Sequence, residues 1–225
     1  MNLADAQIAV LAENQYQELE LWYPVLRLRE AGANVVVVAP AAGQVYASKL
    51  GYPVTPDFAV GEFEAADLDA VVIPGGFAPE GMRRHKPMVD LVRKVHDQGS
   101  LVAAICHAGW MLASAGIARG RRLTCVPIIK DDVINAGGDY VDEAVVRDGN
   151  LITSRLPSDL PLFCSAIVRY FEEAPRRRND GRTLLPPSGR PASAHYAQPA
   201  RLAMAPRGKA SANYTTVALS GERCP

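Results

Sequence analysis

Four short apolar runs recur along the chain, at residues 7–12, 34–39, 69–74 and 101–105, and none of them strictly alternates polar with apolar positions. Runs of this length and character mark strands buried on both faces, which belong in the middle of a parallel sheet. The second holds four consecutive valines, Val35 to Val38. Segments with helical spacing lie between and after them. Residues 18–31 carry Leu21, Val25 and Leu28 on one stripe and stop at Gly32; residues 87–98 stop at Gly99, and residues 108–115 at Gly116. This alternation of strand and helix predicts an α/β fold, a mostly parallel sheet with helices on both faces.

The remaining segments fill in the outline. Residues 44–56, with Gly51 and Pro53, suggest a hairpin or edge excursion and no core element. The acidic stretch 62–69 reads as a short solvated helix, and Arg119-Gly120-Arg121-Arg122 as a basic surface turn. A helix is expected around 128–136, then a hairpin from 144–147 to 150–154 across Asp148-Gly149. A final helix follows over 157–173, with Pro161 in its first turn where proline is tolerated. From Pro175 onward the chain is rich in Pro, Arg, Ala, Ser and Gly without apolar period. The expected organisation is one domain over 1–174 and a disordered or loosely docked tail over 175–225.

Charge sharpens that division. The net charge of zero conceals nine basic and two acidic residues in 175–225, a balance of +7, against −7 in the rest. Arg176-Arg177-Arg178 has no aromatic residues interleaved, so it reads as a solvated charge run and nucleic acid is not an expected partner. The first residues lack a basic patch and a long apolar core, and no apolar run approaches a membrane span. A cytoplasmic protein without a membrane partner is expected. Four scattered cysteines without CxxC spacing read as free thiols, neither a disulfide framework nor a zinc site. His85, His96 and His195 have no partner at metal spacing and read as surface residues. No glycine-rich phosphate motif occurs, which argues against a dinucleotide or nucleoside triphosphate.

Candidate chemistry gathers at Cys106, on the turn where the fourth strand passes into a helix. Such a turn lies at the carboxyl edge of the sheet, where α/β folds bind ligands, and at a helix N-terminus, which favours a thiolate. Glu20, just past the first strand, falls on the same edge, either as an acid for Cys106 or as a dipole-compensating residue of its helix's first turn. His107 follows Cys106 directly, and adjacent helical residues point apart, so it serves the thiol only through its backbone or at a neighbouring angle. Gly75 and Gly76 end the third strand with backbone N–H groups able to approach a ligand closely. Together with the N–H of His107 they are the candidate oxyanion donors. Cys125 reads as a buried structural thiol.

Ala104-Ile105-Cys106-His107, Pro74-Gly75-Gly76 with Ala78-Pro79-Glu80, Glu20 four residues before Pro24, and Ile129-Lys130-Asp131-Asp132 with Asn135-Ala136-Gly137 together resemble the ThiJ/PfpI superfamily, most closely its archaeal intracellular protease branch. The resemblance spans about residues 7–172. It implies a flavodoxin-like, class I glutamine amidotransferase-like sandwich and a cofactor-free cysteine enzyme. Cys106 would be the nucleophile, Glu20 the acid hydrogen-bonded to its sulfur, His107 the histidine of the protease branch, and Glu80 the carboxylate that meets that histidine across a subunit interface, which requires a homo-oligomer. The branch carries an aromatic residue where this chain has Val126, and Ala108-Gly109-Trp110 replaces the usual Gly-Pro pair, so Val126 and Trp110 alter the wall that a substrate touches. The implied reactions are thiolate addition to an electrophilic carbon of a peptide, a 2-oxoaldehyde or a glycated group. A redox-sensing or protective role through Cys106 oxidation, and an isocyanide-hydratase-like activity, stand as alternatives.

Overall fold

The computed structural model describes Leu3, residues 6–62 and residues 64–173. The basic stretch 175–225, with His195 and Cys224, lies outside the described residues.

In chain order the elements are β1 (Gln7–Leu11), α1 (Glu18–Glu30), β2 (Asn34–Ala39), β3 (Tyr46–Ala47), β4 (Pro53–Val54), β5 (Phe58–Ala59), β6 (Ala70–Ile73), α2 (Ala78–Met82), α3 (Lys86–Asp97) and β7 (Leu101–Ile105), followed by α4 (Gly109–Ala115), β8 (Arg122–Leu123), α5 (Lys130–Asn135), β9 (Asp139–Tyr140), β10 (Val145–Asp148), β11 (Leu151–Ser154) and α6 (Leu160–Glu173). The main sheet has seven strands in the order β10-β11-β7-β6-β1-β2-β5. All its pairings are parallel except β10 against β11, the hairpin that Asp148-Gly149 predicts. Its five inner strands, β2-β1-β6-β7-β11, follow the flavodoxin-like winding, which reverses direction at β1.

The apolar runs form strands because both of their faces are covered. Helix α1 packs with α6 on one side, and α3 packs with α4 on the other. Every residue of β1, β6 and β7 is buried, as are Val35 to Val38 of β2. Fully burying a valine is worth about 1.5–3 kcal/mol, so four in a row hold β2 in the middle layer. The register sets Val10 beside Val72 and Val72 beside Ala103, which brings the carboxyl ends of β1, β6 and β7 to one level.

Several local expectations change. The acidic stretch gives a single 3₁₀ turn, Ala65–Asp67, closed by a capping box from Glu64. The basic turn runs into β8, which pairs with β9 in a two-stranded ribbon that no apolar pattern announces. Short α2 carries the Ala78-Pro79-Glu80 motif. His85 and His96 are not bare surface residues. His85 Nε2 lies 3.3 Å from buried Glu13, and His96 contacts the Arg121 guanidinium at 3.0 Å. Segment 44–56 is a hairpin of β3 and β4, but it folds inward, burying Tyr46, Ser48 and Val54. Among the described residues, no helix is long and apolar enough to cross a membrane.

Candidate active site

Three loops meet at the carboxyl ends of β1, β6 and β7. The loop after β1 lies between the β3–β4 hairpin and the loop after β6: Tyr16 bridges in parallel to Ser48 of the hairpin and antiparallel to Gly76 after β6. Its ring is fully buried, and its hydroxyl donates to the Tyr52 carbonyl at 2.6 Å. Residues 13–17, polar apart from Tyr16, thus form a strap anchored by one buried ring.

The strap sets the entry of α1. The Gln17 side chain accepts the N–H of Glu20 at 2.8 Å and caps the helix. Pro24 lacks the N–H that would bond the Glu20 carbonyl, so the helix gives up that rung at the residue facing the site. Glu20 is wholly buried, and its Oε2 accepts the Gly75 N–H at 2.7 Å. That bond corrects the expected role of Gly75, whose N–H holds Glu20 and is not free for an oxyanion. No larger residue fits there. A Cβ on Gly75 would lie 2.6 Å from Glu20 Oε2, 2.7 Å from the Cys106 Cβ and 2.9 Å from the His107 nitrogen. Gly76 has a φ of +69°, and a Cβ there would lie 2.4 Å from the Gln15 carbonyl oxygen.

Cys106 adopts a φ of +62°, a left-handed conformation that costs a non-glycine residue about 1–3 kcal/mol. The strained turn opens a 3₁₀ segment, Cys106–Ala108, ahead of α4. The backbone N–H groups of Gly76, from the loop after β6, and of His107 act on the sulfur. The turn also brings the next side chain back to the thiol: His107 Nδ1 is 3.3 Å from Sγ, closer than the spacing of adjacent helical residues suggests.

Electrostatics reverse one expectation. Burial pushes the Cys106 thiol up to about 12, the charge of Glu20 pushes the same way, and the Gly76 and His107 N–H groups pull only partly against them. The resting thiol is therefore not ionised by the helix terminus alone. Burial lifts Glu20 in turn to about 7, against the Gly75 N–H, the Cys106 thiol and Lys49. His107 is lowered from its ordinary value by burial first and by Lys49 second, so its imidazole is neutral at neutral pH.

The wall is aromatic. The His107 ring packs 5.0 Å from Trp110 and 5.5 Å from Phe77, and Trp110 Nε1 donates to Asp132 at 2.8 Å. Val126 donates its N–H to the Cys106 carbonyl at 3.4 Å, steadying the elbow from outside. Glu80 stands apart. It is exposed and pairs with Arg84 at 3.6 Å, and no described residue of the chain hydrogen-bonds His107 Nε2. Cys106, Cys125 and Cys164 are free thiols, and burial pushes Cys125 and Cys164 up to about 12.

The model of the DJ-1/PfpI family matches residues 6–170. The chain belongs to that family. It is 46% identical over 166 residues to a deglycase of Pyrococcus abyssi, covering 74% of this chain and 99% of that one. It is 42% identical over 166 residues to the deglycase PfpI of Pyrococcus furiosus, covering 74% and 99%. Among solved structures, a two-domain Anabaena variabilis protein with DJ-1/ThiJ/PfpI-like and ferritin-like domains superposes with a TM-score of 0.73 at 41% identity, covering 74% of this chain and 48% of that one. The PfpI branch, the parallel α/β sandwich and a cysteine-dependent enzyme of this type are thereby shown. Within this DJ-1/PfpI frame, Lys49 and Tyr16 are the two residues that pattern reading misses. The turn Ser48-Lys49-Leu50-Gly51 carries no signal that it borders the site.

Proposed function

We propose that Cys106 is the nucleophile of a deglycase-type reaction, in which adducts of 2-oxoaldehydes with amines or thiols are resolved into the free group and a 2-hydroxy acid. The observation that carries this is Glu20 Oε1. It is buried without a hydrogen-bond partner among the described residues, while Oε2 takes the Gly75 N–H and the carboxyl interacts with the sulfur. A buried lone oxygen is costly unless it bears the proton and donates it. An Oε1–H aimed at Sγ satisfies the acid and supports a thiolate that also receives the Gly76 and His107 N–H groups.

Sγ then bonds to the carbinol carbon as the adduct's bond to nitrogen or sulfur breaks, and the leaving group takes the proton held by Glu20. The resulting hemithioacetal loses its carbon-bound proton to the same residue and gains one at the neighbouring carbon. It thus becomes a thioester. Water cleaves it, releasing the 2-hydroxy acid and restoring the thiol; one carbon is oxidised, its neighbour is reduced, and no outside electrons are needed. Relatives named deglycases support this chemistry.

Peptide hydrolysis asks for a histidine oriented by a carboxylate. Glu80 is turned outward in its own chain and would serve only a second copy's His107, so this activity belongs to a homo-oligomer. Leu50 and Ile128, 86% and 80% exposed, are apolar surface that such an assembly would cover. Free thiols suit a cytoplasmic setting.

The test is a panel of methylglyoxal hemithioacetals, glycated amino acids and fluorogenic peptides, with wild type and Cys106→Ser. Wild type should consume the aldehyde adducts and Cys106→Ser should not. Peptide cleavage by wild type without any adduct turnover would overturn the proposal.

A further inference from the structure

Lys49 is the cation at this site that the chemistry above leaves unused. Its backbone is fixed, since its N–H donates to the Tyr16 carbonyl at 2.9 Å, and the next residue, Leu50, donates its N–H to Glu18 Oε1 at 2.7 Å. The hairpin that bears it is tied to the strap through Tyr16 and Ser48. The side chain is exposed and reaches over the Phe77 ring, with Nζ 5.4 Å from the centroid. The same ring lies 5.5 Å from the His107 ring. One aromatic ring therefore touches both a solvated ammonium and the imidazole that lies beside the Cys106 sulfur.

Two features leave that ammonium available. It forms no ion pair with any described residue, and Glu18, the acid at the start of α1 whose carboxyl it helps to lower, accepts the Leu50 N–H. Its field nonetheless reaches the catalytic groups, because Lys49 acts on both Glu20 and His107. A cation held beside an aromatic wall at the mouth of a thiol site is suited to an anionic group carried next to the reacting carbon.

We propose that Lys49 is the anion-binding residue of this site, selecting substrates that carry a carboxylate close to the electrophilic carbon. In terms of the deglycase chemistry, on which the substrate assignment rests, this favours adducts of free amino acids and carboxylate-bearing thiols over their amides.

The test separates this selection from turnover. Cys106 is alkylated with iodoacetate and with iodoacetamide, reagents that differ in one carboxylate, and the rates are followed by the mass of the Cys106 peptide. Any change in thiolate fraction affects both reagents alike, so their ratio reports the local field alone. Lys49→Met should lower the iodoacetate-to-iodoacetamide ratio by roughly fivefold, the upper range for an exposed ion pair. Lys49→Arg should restore it, Lys49→Glu should lower it further, and added salt should erode it in wild type. A ratio unchanged in Lys49→Met, or not restored by arginine, overturns the proposal.

Turnover then tests the substrate class. The methylglyoxal hemithioacetals of N-acetylcysteine and of its amide are compared, and wild type should favour the acid through KM, with Lys49→Met losing that preference. If the alkylation ratio behaves as expected but neither hemithioacetal is consumed, the anion site stands and the deglycase assignment falls. If both are consumed equally, the carboxylate selection falls.

Discussion

Replacing Glu20 with glutamine asks which partner of the buried pair holds the proton. Glu20, wholly buried, and Cys106, 8% exposed, share one corner, and burial places the first proton loss of the pair at about 7. Two arrangements then compete. With the proton on sulfur, a carboxylate faces a thiol, and its charge is among the causes that push Cys106 up to about 12. With the proton on Oε1, that charge is gone and the thiolate gains an O–H donor in addition to the Gly76 and His107 N–H groups. The unpartnered Oε1 favours the second arrangement.

Glutamine keeps the shape and can still accept the Gly75 N–H, but it offers the sulfur only a neutral amide donor. Both donors meet a charged sulfur, but the carboxylic O–H makes the shorter and stronger bond. The difference, taken as about half of the ~1.5–3 kcal/mol of a charge-assisted hydrogen bond, costs the thiolate about 1 kcal/mol. At 1.36 kcal/mol per pKa unit, the apparent thiol pKa should rise by about one unit. Glu20→Leu, which removes the donor entirely, should raise it by about two. The assay is the pH dependence of Cys106 alkylation by iodoacetamide, read by mass. Wild type should gain reactivity as pH rises through about 7, and the variants only at higher pH. An apparent pKa lowered in Glu20→Gln would mean that a carboxylate, not an acid, faces the sulfur, and the mechanism proposed for Glu20 would fail.

The same residue ties stability to pH. Because the first proton loss of the folded pair, at about 7, lies above the unfolded carboxyl value, the pair's contribution is fully present below about 4.5 and is lost as pH rises through about 7. The cost above that range is about 3 kcal/mol, so Glu20→Gln should exceed wild type in denaturant stability at pH 8 and converge with it near pH 5; equal differences at both would contradict this. Gly75→Ala should cut turnover by about 100-fold while far-UV circular dichroism is retained, because its Cβ must displace Glu20, Cys106 or the His107 backbone. Glu80→Gln should abolish peptide cleavage and spare adduct turnover, and dissociating the assembly should do the same; parallel loss of both activities would remove the division of labour assigned to Glu80.

Much of the scaffold is legible without coordinates because it depends on local rules. Val35 to Val38 are buried on both faces, so their unbroken run locates a central strand. The elbow is legible for a related reason: a buried strand that ends in Cys106 and restarts as a helix has one geometry, and its positive φ at a non-glycine residue is where that geometry is most strained. The two-residue strands β5, β8 and β9 are too short to carry a period and form only because a neighbour is already in place. Helix α2 is equally short and is held by its surroundings, with Gly81 pressed against the Glu13 side chain.

The site is harder to read than the sheet, because its parts are assigned by which loop lies opposite which. The pair Gly75-Gly76 signals close backbone approach, but not to what. An oxyanion and a buried carboxyl are both reasonable partners for the Gly75 N–H, and only the strap through Tyr16 decides the matter by delivering Glu20 to it. The same strap carries the hairpin inward and sets Lys49 over Phe77. A lysine in a glycine-containing turn has no distinguishing mark along the chain. Its importance arises when three loops converge, and the convergence is fixed by one buried tyrosine whose neighbours in sequence are polar. Catalytic residue types therefore announce themselves through the strands that bear them, whereas selectivity resides in contacts between loops. The proposed nucleophile and its proposed acid can be named from sequence before the substrate can.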